Sequence, residues 1–151
     1  MNHLDEKFMA LALEQAEEAA ICGEVPIGAV LVCKGAVLAA DRNRREALKD
    51  ATAHAEILVM RRAGELLGGW RLSNCTLYVT LEPCPMCAGA MVQARIDRLV
   101  FGAADPKGGA AGTLYDIVRD QRLNHRLEVT GGVLESECAA LLQKFFRERR
   151  D

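Results

Sequence analysis

Two short segments of this chain hold residues whose types could do chemistry together: His54-Ala55-Glu56 and Pro83-Cys84-Pro85-Met86-Cys87. A Cys-x-x-Cys pair at a helix start sets two thiols about one turn apart, so both can reach one ion. The positive end of the helix dipole lowers their pKa, and metal ligation requires thiolates. With the His54 imidazole they make three protein ligands. Structural zinc closes four positions, whereas catalytic zinc leaves one for water. Cys75 and His125 are candidates for a fourth ligand, but neither has motif spacing. The expectation is one Zn2+ per subunit with water in the open position, its pKa lowered from about 15.7 to roughly 7. Glu56 shares the helix start with His54 and is expected to move the proton of that water to a leaving group. Glu82 is the rival carboxylate, but it precedes the cysteines and lacks the His-x-Glu register.

Neither segment decides the matter alone. An isolated Cys-x-x-Cys serves redox chemistry, structural zinc or nothing, and most isolated His-x-Glu pairs are ordinary surface helix residues. In this order, across a helix-strand-helix unit, they match the signature of zinc-dependent nucleobase deaminases, with the Glu outside the coordination shell. A thioredoxin-like role would leave His54 and Glu56 without a part.

The rest of the chain must position these groups. Asp5 is the expected cap of a first helix, with Phe8, Leu11, Ala12, Ala16 and Ala19 at helical spacing and Gly23 after its end. Pro26 to Val32 and Ala36 to Ala40 read as a hairpin turned at Lys34-Gly35. Arg42 to Thr52 reads as a loop, and a second helix starts at Thr52 or Ala53 and stops before Gly68-Gly69. Thr76 to Thr80, Leu99 to Phe101 and Leu127 to Thr130 read as strands, and Pro85 to Arg95 as a helix with proline in its first turn. Asp105 to Gly112 is glycine-rich and reads as a loop. A last helix runs from Glu135, with Cys138, Leu141, Leu142 and Phe145 on one face. Strands alternating with helices predict an α/β fold, a three-layer α/β/α sandwich with a central mixed five-stranded sheet flanked by helices. Both motif helices then begin at one end of that sheet, where sites in open α/β sheets form.

A chain of 151 residues suits one domain, here 1–151. Half of it is hydrophobic and 26% is charged, an ordinary soluble composition. No apolar run reaches membrane-spanning length. Met1 to Lys7 carry charge with no apolar core behind them, so no signal peptide is expected and the expected location is cytoplasmic. Cys22, Cys33, Cys75 and Cys138 lie singly in apolar segments and read as buried, reduced thiols. The net charge of −2 announces no nucleic-acid binder, so such a role must rest on a local surface.

Over nearly its whole length the chain resembles bacterial tRNA-specific adenosine deaminases, of the cytidine-deaminase-like superfamily. The matching stretches include Gly23 to Val30, Asn43, Thr52 to Glu56, and Leu77 to Cys84. They continue through Met86 to Ala90, Phe101 to Ala103, Gly109 to Gly112, Asn124-His125-Arg126 and Phe145-Phe146-Arg147. The zinc segments would fit any member of the superfamily; the stretches after Cys87 single out the tRNA branch. The resemblance implies a homodimer that converts adenosine to inosine at the wobble position, 34, of a tRNA anticodon stem-loop, chiefly in an arginine tRNA. It implies that Ile27, Asn43 and Ala55 line the pocket for the flipped base. It also implies that Asp105, Lys107, Asn124, His125, Phe146 and Arg150 lie along the anticodon loop. Phe146 lies off the apolar stripe of the last helix, beside Arg147, Arg149 and Arg150, which suits single-stranded RNA. Arg42, Arg44 and Arg45 offer a second basic cluster near Asn43. Two other functions compete: deamination of a free nucleoside or base with the same zinc machinery, and a non-enzymatic zinc module with a fourth protein ligand.

Overall fold

The computed structural model describes residues 2–149. In chain order the elements are α1 (His3–Ile21), β1 (Gly28–Cys33), β2 (Ala36–Arg42), α2 (Arg45–Leu48), α3 (Ala55–Leu67), β3 (Cys75–Leu81), α4 (Pro85–Gln93), β4 (Arg98–Ala103), β5 (Glu128–Thr130) and α5 (Glu135–Glu148). One five-stranded sheet runs in the order β2-β1-β3-β4-β5. β1 is antiparallel to β2 and β3, and β3, β4 and β5 are parallel. This is the expected mixed sheet of a cytidine-deaminase-like fold.

Both faces of the sheet are buried. Along β1, Ala29 and Leu31 enter one core with Val59, Ala63 and Met91 of α3 and α4, while Val30 and Val32 enter another with Phe8, Ala12 and Cys138 of α1 and α5. The alternation is the period-two geometry of a strand. Because both sides are covered, β1 and β3 read as continuous apolar runs. The β1–β2 turn falls at Lys34-Gly35, as its residue types predict: both are left-handed, with φ of 53° and 81°. α3 stops at Gly68, a left-handed residue with φ of 74°.

Several expectations are corrected. Asn2, not Asp5, caps α1; its side-chain oxygen accepts from Leu4 N at 2.8 Å. Asp5 is buried one turn further on. It takes both terminal nitrogens of Arg98 at 2.8 and 2.7 Å and the Tyr78 hydroxyl at 2.8 Å. The Arg98 guanidinium holds its carboxyl below the ordinary 3.8 against the opposing effect of burial. The segment read as a loop begins inside β2, which runs to Arg42, and contains the short α2. The reason is tertiary: the buried Glu24 carboxylate accepts from Glu46 N and Ala47 N at 2.9 and 2.8 Å, satisfying two amides that a helix start leaves unpaired. Cys75 and Cys138 are buried as expected, but Cys33 is half-buried and Cys22 is exposed at the end of α1. Among the described residues, no helix is long and apolar enough to cross a membrane.

Candidate active site

α3 and α4 start side by side at the end of the sheet where β3 finishes. His54 is the residue before α3 and Cys84 the residue before α4, both with extended backbone and no capping hydrogen bond from the side chain. Helix-start positions that usually carry capping oxygens here carry an imidazole and a thiol. Pro85 fills the first position of α4, where a missing N–H costs nothing, and Cys87 follows inside the first turn. His54 Nδ1 lies 3.7 Å from Cys84 Sγ and 3.5 Å from Cys87 Sγ. Zinc bonds of about 2.0–2.1 Å to nitrogen and 2.3 Å to sulfur, at tetrahedral angles, put N and S about 3.6 Å apart. His54 Nδ1 therefore already stands from both sulfurs at the separation of a zinc site, and all three donor atoms lie within 4.8 Å of one another. Among the described residues, His54, Cys84 and Cys87 are the group of three or more His, Cys, Asp or Glu side chains close enough to hold one metal ion. Cys75 and His125 are not in it, so among the described residues no fourth protein ligand closes the site.

Protonation fits a cation. The hydrogen bond from Cys87 lowers the Cys84 thiol to about 4, against burial and with help from His54. The same contact, together with burial, pushes Cys87 up. Contact with Cys84 raises His54 above 6.5, against burial. Cys87 and His54 both hold their protons more tightly than usual, and a metal ion bound by the three donors would displace them.

Glu56 stands in the first turn of α3, fully buried, where desolvation raises its carboxyl to about 7. A carboxyl poised near neutrality can both take and give a proton. It lines a small cavity of about 70 Å³ with Val25, Ile27, Asn43, Arg45, His54 and Ala55. Ile27, Asn43 and Ala55, named from the sequence as pocket residues, therefore meet at Glu56. The Asn43 amide also ties the chain locally: its nitrogen donates to Val25 O at 3.3 Å and its oxygen accepts from Arg45 N at 3.1 Å. One N–H and one lone pair remain on it. The expected basic cluster beside it does not form as such. Arg42 is buried and donates to Asn43 O, Arg44 pairs with Asp41 at 2.7 Å, and Arg45 faces the cavity.

Glu82, the rival carboxylate, is an anchor. It is 2% exposed and accepts from Asp105 N at 3.0 Å, Ala111 N at 3.0 Å, Thr113 N at 3.1 Å and the Thr113 hydroxyl. Burial alone would raise its carboxyl, but these donors outweigh burial and hold it below 4.5. Ala110 N adds a bond to Pro83 O at 2.8 Å. Loop 105–113 is thereby fastened to the two residues that precede Cys84. Gly109 is required for this closeness, since a Cβ there would stand 2.5 Å from the Glu82 carboxylate.

That loop forms one wall of a groove lined by Val25, Leu81, Asp105, Lys107, Phe146 and Arg149, among others. Val25 lines the cavity at Glu56 as well, so the two are neighbours. Phe146 is 48% exposed and stands edge-on to the buried Phe145. Asp105 turns its carboxylate onto Lys107 N and Gly108 N, closing the loop's tip, while Lys107 is exposed. Asn124 and His125 are not brought here. His125 Nε2 lies 2.6 Å from Ile96 O, in a separate groove with Thr76, Asp97, Arg98 and Arg126 where β3 and β4 begin. Asn124 is exposed beside it. Arg150 lies outside the described residues.

Fold, donor set and buried carboxylate together define a deaminase, and a family model of MafB19-like deaminases matches residues 1–150. The chain belongs to the tRNA-specific adenosine deaminase family. It is 54% identical over 146 residues to the tRNA-specific adenosine deaminase of Bacillus subtilis, covering 97% of this chain and 91% of that one. To the Haemophilus influenzae enzyme it is 48% identical over 151 residues, covering 99% and 87%. A solved structure from a study of A-to-I editing by tRNA:A34 deaminases superposes with a TM-score of 0.87 at 51% identity, covering 90% of this chain and 99% of that one. A guanine deaminase from Nitrosomonas europaea superposes at 0.81 with 25% identity, covering 93% and 83%.

The anchoring by Glu82 generates a prediction. In Glu82→Gln an amide N–H₂ meets backbone N–H groups and the charge-assisted bonds are lost. Stability should fall by on the order of 3 kcal/mol in urea titrations, and hydrogen exchange at Asp105, Ala111 and Thr113 should rise. Unchanged exchange at those amides would mean that another contact holds the loop.

Proposed function

We propose that this chain hydrolyses adenosine to inosine at wobble position 34 of a tRNA anticodon loop, chiefly in an arginine tRNA. It acts as one deaminase domain spanning 1–151, in the cytoplasm, with one zinc ion per subunit on His54 Nδ1, Cys84 and Cys87. The observation that carries the reading is the adjacency, through Val25, of the Glu56 cavity and the groove holding Phe146 and Lys107. A free nucleoside has nothing to touch in that groove.

When bound, zinc supplies the Lewis acidity that lowers the pKa of water at the site. The protein residues do the rest. Glu56 takes a proton from the attacking water and returns it to the base as C6 goes from amine to carbonyl and ammonia leaves. Its burial at the cavity floor excludes competing water and keeps its affinity for protons near neutral. Ile27 and Ala55 supply apolar walls, and the remaining N–H and lone pair of Asn43 address the edge of the base. Adenosine-34 sits in a loop and is already partly unstacked, so extruding it costs less than flipping a base from a duplex. Phe146 stacks on a neighbouring base, Lys107 meets phosphate, and Asp105 keeps the loop tip in shape. These contacts fix the target carbon over the site and contribute to rate through positioning. Asn124 and His125 lie at the far end of the same subunit's sheet, so among the described residues the groove contacts are drawn from Asp105, Lys107 and Phe146, with Arg150 proposed beside them from the resemblance.

A homodimer is the second part of the proposal. α3 and α4 present an apolar groove of about 570 Å³ lined by Ile57, Met60, Leu72, Ala90 and Ala94, with Trp70 61% exposed at its rim and Leu66 and Leu67 exposed nearby. A helix pair apolar on its outer side is normally covered, and a second copy would cover it.

The deciding assay sets an adenosine-34 anticodon stem-loop against free adenosine, cytidine and guanine at equal concentration. The stem-loop should turn over fastest; faster turnover of any free compound overturns the tRNA reading and leaves the deaminase intact. In the same assay Glu56→Ala should keep its zinc and lose about 10²–10⁴-fold in turnover, whereas Cys87→Ala should lose most of its zinc. Zinc loss from Glu56→Ala would make that carboxylate a ligand instead.

Phe146→Ala should weaken stem-loop binding by about 1–3 kcal/mol, the worth of one base–aromatic stack, without changing zinc content. Equal affinity of variant and parent would remove Phe146 from the RNA surface. Sedimentation at micromolar concentration should give twice the 16.5 kDa subunit mass, and a purely monomeric boundary would refute the dimer.

A further inference from the structure

β1 and β3 are antiparallel neighbours, and in their register Cys33 lies directly opposite Cys75. The kind of pairing follows from the turn beside it. Lys34 and Gly35 are the two left-handed residues of the β1–β2 hairpin, which Cys33 and Ala36 close. In a two-residue hairpin the closing residues exchange both backbone hydrogen bonds, so the N–H and C=O of Cys33 point toward β2. The Cys75 carbonyl also points away from β1, accepting from Asp97 N at 3.1 Å. With both backbones turned outward, Cys33 and Cys75 form a non-hydrogen-bonded pair. Such pairs bring Cα atoms to about 4.5 Å with side chains at their closest, inside the range of about 4.4–6.8 Å that a disulfide spans.

The side chains share a face. Cys75 belongs to the core under α3 and α4, and Cys33 packs against that core. Both thiols are free, Cys75 buried and Cys33 half-buried at the end of the sheet. The His54, Cys84 and Cys87 group lies past the other end of β3, six residues and about 20 Å away.

We propose that Cys33 and Cys75 are a dithiol site that closes to a cross-strand disulfide when a small disulfide oxidant such as glutathione disulfide supplies the equivalents. The Cys33 thiolate attacks one sulfur of the oxidant; its S–S bond breaks and one glutathione leaves as thiolate. Cys75 gives up its proton, attacks the Cys33 sulfur of the mixed disulfide and expels the second glutathione. The two protein thiols lose two electrons and two protons, and one glutathione disulfide becomes two glutathiones. Burial holds the Cys75 thiol up at about 12, so its attack is the slow step and quickens with pH. Thiol–disulfide exchange runs in both directions, so an excess of a reducing dithiol reopens the site.

The test uses the full-length, zinc-loaded chain carrying Cys22→Ser, because Cys22 is exposed and would take up glutathione itself. After incubation with glutathione disulfide at mildly alkaline pH, mass spectrometry of the denatured, alkylated protein should record loss of two hydrogens and of two alkylatable thiols. Zinc should be retained, and dithiothreitol should reverse the change. Adding Cys75→Ser should stop the reaction at a stable glutathione adduct, and adding Cys33→Ser, at the more exposed position, should abolish both products. No loss of two hydrogens in the starting protein, its persistence in Cys33→Ser, or release of zinc alongside it would overturn the proposal.

Discussion

A nitrogen on one helix start must stand about 3.6 Å from two sulfurs on another, and most of the architecture follows from that requirement. Neither helix can meet it alone. β3 delivers Glu82-Pro83-Cys84 to the end of the sheet, and the segment after α2 delivers His54 to the same place. The helix dipoles both point their positive ends at the group, which favours thiolates and an ionised neighbour. The extended backbone at His54 and Cys84 frees both side chains from capping duty. That forgoes about 1 kcal/mol of capping per helix, and packing of α3 and α4 on the sheet must make up the difference.

Buried carboxylates show how surroundings assign roles. Glu24, Glu56 and Glu82 are all nearly inaccessible. Glu82 receives four donors from loop 105–113 and stays ionised. Glu24 receives two amides at the start of α2. Each clamps one wall of the site, the first holding the loop of Asp105 and Lys107, the second the segment of Asn43 and Arg45. Glu56 has no comparable set of amides, so desolvation dominates and its carboxyl rises to about 7. The group left poised to exchange protons is the one whose hydrogen bonds do not outweigh its burial.

This explains what could be read in advance. His54, Glu56, Cys84 and Cys87 are legible because helix geometry converts sequence spacing into distance. The layered sheet is legible because strands buried on both sides are continuous apolar runs. Glu82 as an anchor is not, because its partners lie more than twenty residues away in a loop without periodicity. α2 is hidden for the same reason: its missing cap comes from Glu24. Asp5 misleads because an acidic residue in a first turn looks like a cap, whereas its true partner, Arg98, is 93 positions away. Asn124 and His125 were drawn to the site by resemblance alone, and no spacing rule could have said that the chain puts them where β3 and β4 begin.

The proposed RNA surface also accounts for how a chain of net charge −2 would hold a polyanion. Bulk attraction is absent, so affinity must come from a few groups in fixed places. The exposed ring of Phe146 is held edge-on by Phe145, and Arg149 stacks on Phe145 with its guanidinium carbon 4.2 Å from the ring centre. Lys107 projects from a loop whose base is pinned by Glu82. A pre-set aromatic loses little entropy on binding, and stacking is far less screened by salt than phosphate contact. Under the proposed function such a surface would discriminate by the shape of a splayed loop and not by charge density. A duplex of equal charge would gain little from it, because its bases are not available to stack.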